Sequence, residues 1–380
     1  MSLSDNRSSD IIVLGAGLAG ACAAFVLARQ GRHVNLIDPR SVYPSCFKAE
    51  KIEPEQVELF RKLGLLDTLV PLADSIREVL EGDNGRIRRR LRLQQYGIRY
   101  DDMVNQVRRN LPPTVQFREA RVERVAHGPD LQRVTLSTGE ELAARLLVVA
   151  SGTGGHVHER LGVSRRVICA EPTAGFGFTV ARDDGKPFPF EALTYFPNGC
   201  ATRIGYLTLF PMRRSMRANL FVFRALSEEW VRRFVSQPRE QLQDSLPKLG
   251  RVTGEFHLVG RVETAKTDLY VVENHLQPGF VLIGDAFMSV CPTSGLGLSK
   301  VLTDVDVLSE CVSEWLATPG MGAEKIGAFY DHARKRTIDQ GSLDSARYRR
   351  QLSTDSSLAW QARRLRDHAY RWFDSMRERA

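Results

Sequence analysis

Residues 11–38 read IIVLGAGLAGACAAFVLARQGRHVNLID, and the order of their apolar, glycine-rich and acidic pieces decides the fold. Ile11–Leu14 is an apolar run short enough for a buried strand. Gly15-Ala16-Gly17-Leu18-Ala19-Gly20 follows at once and satisfies G-x-G-x-x-G. Ala21–Arg29 reads as a helix closed by Gly31, and Val34–Ile37 as a second strand ending at Asp38. A βαβ unit with an acid about 20 residues beyond its glycines is the arrangement that holds a dinucleotide. Gly15 allows the tight turn, Gly17 lets a pyrophosphate approach the backbone, and Gly20 lets the helix pack on the strand. The first N–H groups of the helix and its dipole favour phosphate, and Asp38 can accept from ribose hydroxyls.

A rival reading takes Ile11–Ala28, 18 apolar residues without a break, as a membrane span. Three glycines in six residues and the acid-ended strand argue against it, and the preceding MSLSDNRSSD lacks the basic flank of a signal peptide. The 380 residues can bury a large core and suggest two domains. Hydrophobic content of 43% and charged content of 26% are those of a soluble protein. Cys22, Cys46, Cys169, Cys200, Cys291 and Cys311 are scattered without C-x-x-C, which fits a reducing cytoplasm and no zinc or disulfide framework. The net charge of +8 is concentrated in Arg86–Arg99 and Arg347–Arg379, read first as solvated faces. No nucleic-acid partner, metal site or membrane association is expected.

Beyond Asp38, Pro39 and Pro44 mark a loop carrying Lys48, Glu50 and Lys51 beside the expected nucleotide site. A helix starts at Pro54, buries Val57, Leu59, Phe60 and Leu63, and ends at Gly64. Ile76–Leu93 reads as a hairpin turning at Gly82-Asp83-Asn84-Gly85. Tyr100–Leu111 reads as a helix, and Val115–Val125 and Gln132–Leu136 as short strands. Leu146–Ala150 is a continuous apolar strand running into Ser151-Gly152-Thr153-Gly154-Gly155. Val167–Val272 changes character: alternating apolar and polar residues rich in aromatics predict an antiparallel sheet, with helices at Glu228–Val235 and Arg239–Leu246. The chain then returns to the first pattern, with strand Phe280–Ile283, Gly284-Asp285-Ala286, and a glycine-rich turn into a helix. Asp285 stands at a strand end, where an acid can bind a sugar or ribityl hydroxyl. Met321–Ala380 reads as helical and charged, with Trp360, Leu365, Tyr370, Trp372 and Phe373 as an apolar stripe that packs on the surface.

On these residues the chain resembles the FAD-dependent aromatic hydroxylases of the p-hydroxybenzoate hydroxylase fold, and their halogenase and geranylgeranyl reductase relatives. Gly15–Gly20 with Asp38 carries one part of the resemblance. Gly284-Asp285-Ala286 with Pro292, Gly295, Gly297 and Asp304 carries the other, and the likeness extends to about residue 320. It implies an α/β plus α+β architecture with a Rossmann-like FAD-binding domain of glutathione-reductase type. That domain is expected to be discontinuous, from 8–75, 95–165 and 278–320, with 76–94 and 166–277 forming an antiparallel-sheet substrate domain and 321–380 C-terminal helices. It implies FAD contacts from Gly15, Gly17, Leu18, Ala19, Gly20, Asp38, Glu50, Lys51, Val122, Gly152, Asp285, Pro292, Gly295, Leu296 and Gly297. Ser151-Gly152 stands where hydroxylases carry D-G, Met288 where a His is common, and Ser299 where an Asn is common. Reducing electrons are therefore expected from NADH or NADPH directly, or from a separate flavin reductase.

The resemblance implies a monooxygenase of secondary metabolism that hydroxylates a phenolic or N-heteroaromatic small molecule with O2, through a flavin hydroperoxide. No acid–base triad is expected, because the flavin carries the chemistry. Tyr195, Arg203, Tyr206, Phe210 and Phe223 are the candidate pocket residues, although strand alternation does not say which face meets the flavin. Halogenation is the nearest alternative, but Tyr195–Pro211 holds no Trp. An isoprenoid reductase and a flavin binder without chemistry follow. A monomer and a homodimer are both compatible with the sequence.

Overall fold

The computed structural model describes the backbone of residues 8–377 and the side chains of residues 9–169 and 173–367. β1 (Ser8–Leu14), α1 (Leu18–Arg29) and β2 (Val34–Asp38) form the βαβ unit. β3 (Lys51–Ile52), α2 (Pro54–Lys62) and α3 (Leu66–Leu69) lead into the hairpin β4 (Asp74–Asp83) and β5 (Arg86–Gly97). Next come α4 (Tyr100–Arg109), β6 (Val115–Glu119), β7 (Val122–Ala126), β8 (Gln132–Leu136), β9 (Glu141–Val149) and α5 (His156–Arg160). The middle of the chain gives β10 (Ser164–Arg182), β11 (Ala192–Phe196), β12 (Ile204–Met212), β13 (Ser215–Val222), α6 (Glu229–Ser236), α7 (Pro238–Ser245), α8 (Gly250–Thr253) and β14 (Phe256–Glu273). β15 (Phe280–Leu282), α9 (Gly297–Ala317), α10 (Ala323–Asp331), α11 (Ala333–Thr354) and α12 (Leu358–Arg377) close it.

Two sheets result. The first runs β6-β2-β1-β9-β8-β7, with β15 also on β9. Within it β6, β2, β1, β9 and β15 are parallel, and β7, β8 and β9 form an antiparallel meander. The second runs β14-β10-β13-β12-β11-β4-β5-β3. Ile11–Leu14 and Leu146–Val149 are each at most 1% exposed, and each such side chain buried is worth roughly 1.5–3 kcal/mol. The apolar run 11–28 is thus split by its glycines into a core strand and a core helix. Among the described residues no helix is long and apolar enough to cross a membrane.

The expected strand Val115–Val125 is two strands. Ala120 N–H donates to Asp38 O at 3.1 Å, ending the parallel ladder, and Arg121 O accepts from Ser137 N–H at 2.8 Å, opening the meander. The β4–β5 hairpin turns where expected, with Asn84 at φ 49° and Gly85 at φ 73°, as a two-residue hairpin requires.

The faces of the second sheet follow from register. Tyr206 pairs with Phe221, Thr208 with Asn219 and Phe210 with Arg217, so these six share one face. Phe176, Phe178 and Leu220 lie on the other face, under α6, where the Phe176 and Phe234 rings are 4.7 Å apart. Of the expected C-terminal stripe, Trp360 meets Tyr348 edge-on at 5.5 Å, Leu365 is 70% exposed, and Tyr370, Trp372 and Phe373 lie outside the described residues.

Candidate functional site

The parallel strands β1, β2, β9 and β15 deliver their carboxyl ends to one edge of the first sheet, at Gly15, Pro39, Ala150 and Ile283. Ligands of open α/β sheets bind at this edge. The glycine loop is closely fitted there. A Cβ on Gly15 would lie 2.6 Å from Ala150 O, at a φ of 95°, and one on Gly20 would lie 1.8 Å from Gly15 O. A Cβ on Gly17 would meet only Tyr43, at 3.8 Å, so that side of the loop is open. No side chain caps α1, which leaves its first N–H groups available to an anion. A dinucleotide fits this cradle, which Cβ atoms would fill.

Arg108 of α4, which the sequence reading passed over, holds the cradle in place. Its Nε donates to Ala16 O at 2.6 Å, its Nη1 to Arg40 O at 2.8 Å, and its Nη2 lies 3.4 Å from Asp38 Oδ2. Asp38 Oδ2 also accepts from Ala16 N–H at 2.8 Å. Asp38 thus braces the glycine loop besides standing at the strand end.

The Gly284-Asp285-Ala286 turn is fixed from every side. Gly284 N–H donates to Asp304 Oδ2 at 2.8 Å, and Gly284 O accepts from Lys300 Nζ at 3.3 Å. Tyr270 Oη donates to Asp285 O at 2.6 Å, and His158 Nε2 bonds Ala286 O at 2.7 Å. Asp304 is fully buried between two buried ammoniums, Lys300 at 2.7 Å and Lys335 at 2.9 Å, and Asp339 lies 3.0 Å from Lys335. The Lys335 Nζ also stands 4.4 Å from the Phe287 ring centroid. Burial opposes the Asp304 charge, and the two ammoniums override it and hold its carboxyl below the usual range.

Asp285 points the other way, to Lys48 Nζ at 3.0 Å. The carboxylate of Asp285 holds the Lys48 ammonium well above its usual range, with help from Tyr100. Burial raises Asp285 and Lys48 lowers it, with a net fall. Gln56, at the start of α2, donates through Nε2 to Gly295 O at 2.9 Å and Ser299 Oγ at 3.1 Å, and so ties α2 to the glycine-rich turn before α9. Gly295 and Gly297 face open space, and no side chain caps α9 at Leu296. Pro292 opens a short turn there.

Glu50 and Lys51 have other partners. The Glu50 carboxylate is buried and takes a two-pronged bond from Arg217 of β13, at 2.7 and 2.9 Å. Lys51 pairs with Glu53 at 2.8 Å. Glu50–Arg217 pins the loop after β2 to the second sheet. Val122 opens β7 and pairs with Leu136, while Gly152 stands in the open turn after β9. Ser151 Oγ is buried there without a hydrogen-bond partner among the described residues.

The candidate pocket residues separate. Tyr195 lies on the helix-covered face, where its Oη accepts from Gly85 N–H at 2.8 Å, so it does not line a pocket toward the first sheet. Phe210 is on the inner face but packed under Ile76, Val79 and Ala192. Arg203 pairs with Glu228 at 3.3 Å, and Phe223 is buried with Cys291 and Ala346. Tyr206 lies on the inner face: its Oη donates to Pro292 O at 3.4 Å, and its ring lies 5.1 Å from Phe221 and 6.3 Å from Phe196. Burial pushes its phenol well above the usual range. Phe196 and Phe221 were not singled out from the sequence, although both lie in the aromatic strands it marked.

Two histidines flank the site with depressed pKa values. Burial lowers both, His158 at the Ala286 turn and His275 between Phe287 and Tyr330. The unfolded chain therefore binds more protons than the folded one below the ordinary histidine pKa. Stability is complete above about pH 6.5 and falls as the pH drops toward the folded values. Thermal melting at about pH 8 and about pH 5.5 should show this loss. A His158→Gln variant should show a smaller pH difference, and an unchanged difference would assign the loss elsewhere.

The chain is similar to known proteins in sequence and fold. Residues 8–341 match the family model described as FAD binding domain. The kynurenine 3-monooxygenase of Salinispora tropica is 28% identical over 378 residues, covering 88% of this chain and 78% of the relative. The aklavinone 12-hydroxylase DnrF of Streptomyces peucetius is 25% identical over 402 residues, covering 94% of this chain and 76% of the relative. The fold is that of p-nitrophenol 4-monooxygenase PnpA from Pseudomonas putida, with a TM-score of 0.74 at 18% identity over 97% of this chain and 94% of the other.

Proposed function

Since the chain belongs to the FAD binding domain family, we propose that it is an FAD-dependent monooxygenase that hydroxylates an aromatic small molecule. One observation carries the reading: the Pro292 turn, which runs into the open Gly295–Gly297 turn, meets the inner aromatic face of the second sheet at Tyr206. FAD, when bound, supplies the oxygen chemistry that side chains lack.

The chain's own residues bind, orient and exclude water. Gly15–Gly20 and the start of α1 hold the pyrophosphate, with Arg108 keeping the loop in shape. Asp38 stands at the ribose end of the cradle. Asp285, ionised by Lys48, accepts from ribityl hydroxyls, and the uncapped start of α9 offers N–H groups to a ring oxygen. Tyr206, Phe196 and Phe221 form an apolar wall against which an aromatic ring stacks, and Tyr206 Oη fixes that wall to the Pro292 turn. No side-chain base is needed near the ring. Segments 8–75, 95–165 and 278–320 serve as the cofactor half, and 76–94 with 166–277 as the substrate half.

The purified protein should be yellow and retain FAD. It should oxidise NADH or NADPH faster with a phenolic or N-heteroaromatic compound present, and label from isotopic O2 should appear in the product. If direct reduction is slow, adding a flavin reductase should restore hydroxylation. A protein without flavin affinity, or a halogenated product when halide is supplied, would overturn the reading.

A further inference from the structure

We propose that Arg349 selects an aromatic substrate that carries an anionic group, a carboxylate or phenolate, at the edge of the Tyr206 face. Arg349 lies on α11, which packs against the Pro292 turn and β12. Its guanidinium carbon stands 5.9 Å from the Tyr206 ring centroid. The side chain is half-buried, and among the described residues no carboxylate lies within ion-pair distance of it.

A half-buried arginine with no carboxylate partner keeps its donors free for an oxyanion, and such a charge-assisted pair is stronger than a neutral hydrogen bond. The neighbouring charges are already engaged. Glu53, which acts on Tyr206 through space, is paired with Lys51 at 2.8 Å. Glu228 is taken by Arg203 and Arg224. Asp285 is held by Lys48. Arg350, the next residue, bonds the Cys169 thiol on β10. Among the described residues Arg349 thus has a fork left for a ligand, and its planar donors match an oxyanion two-prongedly. The ring of such a ligand would lie on Tyr206, Phe221 and Phe196, with its anionic group reaching α11.

This inference rests on the monooxygenase reading only in taking the Tyr206 face as the substrate wall. The test uses the FAD-loaded enzyme and two matched probe pairs, salicylate against salicylamide and anthranilate against anthranilamide. Binding is followed by the change in flavin absorbance. At least one acid should bind roughly ten- to hundredfold more tightly than its amide. Arg349→Gln should abolish that preference through the affinity of the acid alone, Arg349→Lys should keep part of it, and both should retain FAD and melt as the parent does. Acids that bind no more tightly than amides, or a preference surviving in Arg349→Gln, would overturn the inference. An enzyme that holds FAD and hydroxylates neutral aromatics would leave the monooxygenase reading intact while this one fails, whereas a flavin-free protein would fail the earlier reading first.

Discussion

Asp304→Ala is expected to cost about 3–5 kcal/mol of folding stability, a large part of what a domain possesses. The carboxylate is the shared counter-charge of Lys300 and Lys335, which are 1% and 0% exposed. Removing it leaves two buried ammoniums facing one another with only Asp339 between them, and it strips Gly284 N–H of its acceptor. Denaturant titration of the flavin-free protein measures the loss. The double variant Lys300→Met with Asp304→Leu should recover part of it, since the apolar replacement removes one stranded ammonium and leaves Lys335 to Asp339. A single-variant loss below about 1 kcal/mol, the worth of an ordinary hydrogen bond, would mean that the network carries no such weight.

Gly20→Ala and Gly17→Ala should part company. At Gly20 the new methyl would sit 1.8 Å from Gly15 O and 3.2 Å from the Ala150 Cβ, so it meets backbone that cannot turn aside. α1 must move off the loop, taking its N–H groups away from the phosphates. Two or three charge-assisted hydrogen bonds lost together weaken FAD binding by roughly a hundredfold or more, and the purified variant should be colourless. At Gly17, with φ −64° and Tyr43 no closer than 3.8 Å, alanine folds without strain. That variant should melt as the parent does while binding FAD more weakly, because the methyl stands where the pyrophosphate comes. Equal FAD retention in both would remove the cradle from the cofactor site.

What the sequence made legible, and what it did not, divides along physical lines. The parallel core and its glycine turns could be read because each imposes a local demand: an apolar run for a strand buried on both faces, and a missing Cβ where backbones touch. Gly15, Gly20 and Gly284 record such demands in residue type alone. The substrate face could not be read in this way. Alternation gives two faces without naming the one turned inward, so Tyr195 and Tyr206 looked equivalent and lie on opposite sides of the sheet. Glu50 was placed near the cofactor by its loop, but its carboxylate is taken by Arg217, a partner 167 positions away that no local pattern announces. Arg349 was one charge among many in a basic helix until α11 was seen to lie on the Pro292 turn.

The place of β15 has a consequence for how the molecule is made. This strand pairs with β9 through Leu147–Val149, yet it lies some 130 positions further along the chain than its partner. Its turn is then secured by Asp304 and Lys335, which come later still. On the ribosome, β1 and β9 can pair early, but the Leu147–Val149 edge of β9 stays bare while β10 to β14 of the second sheet are synthesised. Such distant pairing is slow and leaves sticky strand edges exposed in the meantime. Cofactor capture is therefore a late event in the biogenesis of this chain, following the emergence of β15, α9 and α11.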